Sequence, residues 1–175
     1  MSAIEEKKYL TDKYATSERM TAADLRMITA LLRSPDGCPW DREQTHESIT
    51  GCLRDESEEV IEAIENRDYL NLREELGDLL LQVLLHARIA EENGEFTLED
   101  VIDELGHKLV RRHPHVFGDE GQLNDAKAGH TRWNDVKKKE KLDRISEYEQ
   151  WISDGRLEPQ VLDRYKKMLT DKGLL

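Results

Sequence analysis

The chain has 175 residues, with 38 Asp and Glu against 26 Lys and Arg, a formal net charge of −12 before histidine is counted. That length suits one compact domain with a real core, or a domain plus a short appendage, and 37% apolar content excludes a wholly disordered chain. No segment reaches the roughly 18 apolar residues needed to span a bilayer, MSAIEEKKYL lacks the apolar stretch of a signal peptide, and an acidic chain lacks the basic face that nucleic-acid backbones require. Cys38 and Cys52 are too few for a disulfide scaffold. The expectation is a soluble, cytoplasmic protein that engages neither nucleic acid nor membrane.

In chain order, residues 2–15 form a charged helix candidate. Thr21 and Asp24 make a capping box, with Asp in place of Glu or Gln, ahead of an apolar stripe at Leu25, Ile28, Leu31 and Leu32. SPDGCPWD (34–41) concentrates turn formers and reads as a loop. A helix is expected from about Thr45 to Glu65, a turn at 66–69, and a second long helix from about Leu70 to Glu92, ended by Asn93-Gly94. Thr97 caps a further helix carrying Leu98, Val101, Ile102, Leu105 and Leu109, stopped by Pro114. Residues 115–125 read as loop, 125–150 as a helix with Trp133, Val136, Leu142 and Ile145, and Glu158-Pro159 opens one short helix. No strand pattern is present. The fold class is all-α, an antiparallel helical bundle with short loops.

The helix over 45–65 carries an anomaly. Its apolar seam, Ile49, Leu53, Val60 and Ala63/Ile64, is interrupted where Glu56 falls on the core-facing side, and Glu59 follows one turn later. In LREELGDLLLQVLLHA (72–87), apolar almost all round, Glu75 and Asp78 are again one turn apart. Residue 67 is equidistant from Glu59 and Glu75, and from Glu56 and Asp78. Folding the chain back at 66–69 therefore sets 59 opposite 75 and 56 opposite 78, about 12 Å from the loop at 1.5 Å per residue. Asp55 reaches the rim. Two carboxylates ~5 Å apart repel by about 3 kcal/mol at an effective dielectric of 20, so such a group protonates or binds a cation. An all-oxygen set suits Mg²⁺, with Mn²⁺ as substitute. The alternative is that these acids lie on solvated faces, where like charges cost only tenths of a kcal/mol.

Mg²⁺ held by a few carboxylates keeps positions open for water and phosphate oxygens, which points to a polyanionic substrate. Two basic clusters could hold it. KLVRRHPH (108–115) places Lys108, Arg111 and Arg112 in the last turns of a helix, where dipole capping is the other reading. RWNDVKKKEK (132–141) sets Trp133 and Lys137 one turn apart, against a solvated helix with one aromatic anchor. His113 and His115 read as structural or surface residues, and the two cysteines as plain thiols.

CPWDREQT (38–45), DESEE (55–59), ELGDLLLQVLLHARIAEENGEF (75–96), KLVRRHPHVFGD (108–119) and RWNDVKKKEK, in this order, resemble the MazG family of nucleoside triphosphate pyrophosphohydrolases. The likeness runs from about Leu25 to Lys141. It implies an all-α pyrophosphatase fold over residues 21–145, with an N-terminal extension (1–20) and a C-terminal helical extension (146–175), and assembly as a homodimer or higher homo-oligomer. It implies hydrolysis of a nucleoside triphosphate to monophosphate and pyrophosphate, with Glu56, Glu59, Glu75 and Asp78 as Mg²⁺ ligands. Asp55 stands where the family has glutamate; Asp55 or Glu59 would orient or deprotonate the attacking water. Lys108, Arg111, Arg112 and Lys137 would stabilise the leaving pyrophosphate, and Trp40 or Trp133 would stack on the base.

Two rival readings exist. Glu43-x-x-His46 and Glu104-x-x-His107 fit the Glu-x-x-His spacing of di-iron helical bundles, although Glu43 and His46 sit at a frayed helix start. A non-catalytic helical interaction module would use its acids only for solubility or a basic partner.

Overall fold

The computed structural model describes residues 1–119, 121 and 125–175, which form helices and no strand. They divide into two compact units, Met1–Asp103 and Glu104–Leu175. No helix among them is long and apolar enough to cross a membrane.

In the first unit, α1 (Ala3–Ala15) starts at a capping box between Ser2 and Glu5, and α2 (Ala22–Leu32) at the expected one between Thr21 and Asp24. Asp24 also accepts a 2.7 Å bond from Lys13 Nζ, with both side chains largely shielded from solvent, so α1 is tied to α2 by a buried ion pair. Arg33, just past α2, donates to Glu92 at 2.8 Å and to the Gln44 carbonyl at 3.1 Å. One guanidinium thus fixes the end of α2 to the end of a later helix and to the intervening loop. Gly37 lies so close to the end of α2 that a Cβ there would stand 2.2 Å from the Leu32 carbonyl oxygen.

The expected loop at 34–41 holds a short helix, α3 (Pro39–Glu43). Pro39 sits in its first turn, where its fixed φ suits a helix start and its missing N–H costs nothing. The next long helix, α4 (Thr50–Asn66), begins five residues later than its sequence signal. The signal itself is real: Thr45 N–H donates to Ser48 Oγ and Ser48 N–H to Thr45 Oγ1. Those bonds close a turn over residues 46–49, and the regular ladder starts only after it.

α5 (Tyr69–Glu92) returns antiparallel to α4, and this hairpin is the main packing of the unit. Ile49, Leu85 and Ile89 form its buried apolar cluster. α5 ends as expected, with Gly94 at φ 72° and the Glu95 N–H bonded back to the Ala90 carbonyl.

The unit boundary falls inside α6 (Leu98–Arg112), which Thr97 caps through reciprocal bonds with Asp100. Pro114 stops α6 as expected but opens α7 (Pro114–Phe117), so part of the expected 115–125 loop is a helical turn. Glu120 and residues 122–124 of that loop lie outside the described residues. α8 (Ala126–Ser153) runs unbroken through position 145, and α9 (Pro159–Asp171) opens at Glu158-Pro159 as expected. α9 packs on α8 through buried Leu162 and Leu169, an edge-on Tyr148–Tyr165 contact at 4.8 Å, and a bond from the Tyr165 hydroxyl to the Lys141 carbonyl.

Candidate metal centre

The α4–α5 hairpin owes its register to two adjacent residues. Arg67 takes left-handed backbone (φ 56°, ψ 30°), with its N–H on the Ile64 carbonyl and that of Asp68 on the Ala63 carbonyl, the double closure of a Schellman turn. Asp68 then caps α5, its Oδ1 accepting from the N–H groups of Leu70 and Asn71. Reversal at 67 makes the two helices mirror one another in number, and the burial of Ile49 against Leu85 follows the same arithmetic.

Glu56, Glu75 and Asp78 each offer a carboxylate oxygen within 4.8 Å of the others. Glu75 is only 8% exposed, and Glu56 and Asp78 are half-buried. Glu59 is exposed and stands outside this tightest group, but acts on Glu75, its mirror partner. Burial, then the interaction with the Glu59 carboxyl and its charge, push the Glu75 carboxyl above its ordinary pKa. Glu56 is raised as well, by burial first and then by the charges of Asp78, Glu59 and Asp55. Asp55 itself is exposed at the rim.

The ion pairs of the described residues leave all five acids without a lysine or arginine partner. Carboxylates that converge without a cation, one of them buried, carry uncompensated charge. The donor set is all oxygen and comes from two rigid facing helices. It fits a hard divalent cation that retains open positions.

The other expected residues fall into distinct environments. Trp40, on α3, is 58% exposed, so its indole face is open. Trp133 is half-buried, with the Arg112 guanidinium 4.7 Å from its ring centroid and the His113 ring at 5.1 Å. Arg111 and Arg112 do not stand free: each donates to Glu140, at 2.6 Å from Arg111 Nε and 2.6 Å from Arg112 Nη2. Glu140 escaped notice in the sequence because it sits in a lysine run that reads as a solvated face; its lone negative sign there was the available signal. Lys108 and Lys137 are half-buried.

His46, one of the two histidines expected of a di-iron site, is engaged elsewhere. His46 stacks on His86, with rings 5° from parallel and the two Nδ1 atoms 2.8 Å apart. Glu104 is bonded to Arg144 at 2.7 Å. The carboxylate group contains no histidine among the described residues. The pairing of His46 with His86 joins residues 40 positions apart, which no local pattern announces.

Comparison with known proteins gives a consistent picture. The family model described as the MazG nucleotide pyrophosphohydrolase domain matches residues 44–117. A Thermotoga maritima protein named nucleoside triphosphate pyrophosphohydrolase/pyrophosphatase MazG is 52% identical over 118 residues, 67% of this chain and 44% of that protein. An Escherichia coli nucleoside triphosphate pyrophosphohydrolase is 43% identical over 119 residues, 66% of this chain and 45% of that protein. The chain thus spans less than half the length of these curated relatives. A crystal structure of a MazG-related protein from Thermotoga maritima superposes with a TM-score of 0.53 at 33% identity, covering 65% of this chain and 96% of that one.

Proposed function

The chain belongs to the MazG family, and from that premise we propose that it hydrolyses nucleoside triphosphates to the monophosphate and pyrophosphate with Mg²⁺. The observation that carries the reading is the convergence of Glu56, Glu75 and Asp78 within 4.8 Å, without a cationic partner, at positions mirrored across the hairpin. The two named relatives bear that activity in their names.

Glu56, Glu59, Glu75 and Asp78 would hold the ion, which supplies neutralisation of the substrate's phosphate oxygens. Glu59, exposed at the edge of the cluster, or Asp55, exposed at the rim, would orient or deprotonate the water that attacks the α-phosphorus. Lys108 and Lys137, with Arg111 and Arg112 preset on Glu140, would balance charge gathering on the departing pyrophosphate. Trp40, with its open ring face, is the better base platform; Trp133 already carries a guanidinium on its ring.

Assembly as a homodimer or higher homo-oligomer belongs to the same reading. α5 exposes Leu76, Leu80 and Val83 at 49%, 44% and 41%, and α4 exposes Ile61 and Ile64, a density of bare aliphatic side chains that a second copy would cover. A cytoplasmic enzyme of nucleotide housekeeping completes the proposal.

The deciding experiment offers the purified chain a panel of ribo- and deoxyribonucleoside triphosphates with Mg²⁺, and separates pyrophosphate from orthophosphate among the products. Pyrophosphate release that EDTA abolishes supports the reading. Orthophosphate alone, or no release from any nucleotide, overturns it.

A further inference from the structure

Between Asp78 and His86 the sequence of α5 reads LLLQVLL, apolar except for Gln82. At about 100° per residue Gln82 falls, around the helix axis, between Glu75 and Asp78, so the three side chains share one stripe. Cα–Cβ bonds tilt toward the N-terminus of a helix, and residues four apart lie one above the other. The Gln82 side chain therefore leans back toward the turn that carries Asp78. Across the hairpin, reversal at Arg67 sets Cys52 of α4 opposite Gln82, by the arithmetic that sets Ile49 opposite Leu85.

Gln82 is only 5% exposed, and its Oε1 is shielded from solvent yet accepts no hydrogen bond from the described residues. Buried carboxamides are normally satisfied. The half-buried Cys52 thiol opposite makes no bond to this oxygen. The neighbours on its own stripe, Glu75 and Asp78, are acceptors when ionised and have no proton to give. An amide oxygen sealed from water without a donor carries the full cost of its desolvation, so the donor that suits it comes from outside the chain. Hydrated Mg²⁺ supplies one. The ion sheds its waters reluctantly and keeps several when held by a few carboxylates, and its charge makes those waters strong donors. An amide oxygen accepts from them without adding a further negative charge to Glu56, Glu75 and Asp78, which already converge within 4.8 Å.

We propose that Gln82 is a positioning residue of the metal centre: its Oε1 accepts a hydrogen bond from a water of the cation's hydration shell and so steadies the ion over the carboxylates. This role rests on the metal reading of Glu56, Glu75 and Asp78 and adds to it a neutral partner outside the ligand set. His86 Nε2 is the other shielded, unpartnered side-chain atom on α5. It stands two turns from Asp78, about 12 Å along the axis, and its ring is tied through Nδ1 to His46, so Gln82 alone adjoins the cluster. Partners of this kind change metal affinity by about 10- to 100-fold.

The test is calorimetric titration of the full chain with Mg²⁺ in the absence of nucleotide, alongside thermal melts in EDTA. Gln82→Leu nearly conserves volume and removes the acceptor. It should weaken Mg²⁺ binding by about tenfold, while its metal-free Tm equals or exceeds that of the parent chain, because no sealed amide oxygen is left unpaired. Gln82→Glu keeps an acceptor at the same reach. It should bind Mg²⁺ at least as tightly as the parent, with a lower metal-free Tm at neutral pH, because a further carboxylate joins the cluster. A side chain that only fills space would not set affinity against metal-free stability in this way. Gln82→Asn, whose amide stops one methylene short, should weaken binding as leucine does, and it keeps the test decisive should Gln82→Leu fail to fold. Parental Mg²⁺ affinity in Gln82→Leu or Gln82→Asn overturns the proposal, as does weakened binding in Gln82→Glu. A parent chain that binds no Mg²⁺ overturns it together with the metal centre. Mg²⁺ binding that depends on Gln82, in a chain that releases pyrophosphate from no nucleotide, supports the proposal and removes only the hydrolase reading.

Discussion

Glu56 and Asp78 lie eleven residues on either side of Arg67, and the left-handed backbone at Arg67 brings their carboxylate oxygens within 4.8 Å. Their mutual repulsion is a cost that the fold bears without a neutralising lysine or arginine, and the first prediction concerns its pH dependence. The Glu56 and Glu75 carboxyls have raised pKa values in the folded chain. Each therefore holds its proton more tightly folded than unfolded, so ionisation works against folding. Stability falls as pH rises through the unfolded value near ~4.3 toward the folded one, and the deficit is complete above it. A divalent cation cancels that deficit only where the carboxyls are ionised. Mg²⁺ should accordingly raise Tm clearly near neutral pH and little near pH 4, measured by thermal melts with K⁺ at matched ionic strength.

Removing one charge from the cluster separates stability from activity. Asp78→Asn and Glu59→Gln should each lower pyrophosphate release by at least about 10³-fold. Helicity by circular dichroism should persist. The metal-free Tm of Asp78→Asn should equal or exceed that of the parent chain, because repulsion with Glu56 is relieved. Near-normal turnover in either variant removes the ligand assignment.

Arg112 serves two tasks that substitution can tell apart. It is bonded to Glu140 and lies over Trp133, so Arg112→Ala leaves a half-buried carboxylate with only Arg111 and uncovers the indole. A stability loss of about 1–3 kcal/mol is expected by chemical denaturation. If the arginine also faces phosphate, kcat/KM falls by about tenfold or more. Arg112→Lys should regain charge but neither the two-pronged bond nor the stacking. Unchanged kinetics in Arg112→Ala would confine the residue to a structural role.

The hairpin turn offers a test of register. Arg67→Gly relieves a side chain held in left-handed backbone and should raise stability by about 0.5–1 kcal/mol, read from the urea midpoint. Asp68→Ala removes the two N–H acceptors that start α5 and should cost about 1 kcal/mol. Both should keep turnover. Inserting one glycine after Arg67 rotates α5 by one residue relative to α4 and should abolish the Mg²⁺-dependent Tm rise, with total helix content nearly unchanged.

Much of this protein was legible in one dimension because its decisive signals are local and periodic. The capping box of Thr21 and Asp24, the end of α5 at Gly94 and the stop at Pro114 are written within four residues of the backbone they control. The mirrored acids were legible for a related reason: a tight reversal between two straight helices converts sequence distance into spatial pairing, so arithmetic around residue 67 locates partners across the hairpin. Where local signals competed, sequence reading failed. Thr45 and Ser48 spend their caps on a turn ahead of α4, and Pro39 and Pro114 each open a short helix inside a segment rich in loop formers.

Tertiary structure alone decided what joins residues far apart in the chain. It put Arg111 and Arg112 on Glu140, His46 on His86, and Lys13 on Asp24. Side-chain charge is short-ranged in water and carries no address. A lysine or arginine in the sequence therefore announces its sign, and only the folded chain determines whether that charge is matched by a carboxylate or left for a phosphate.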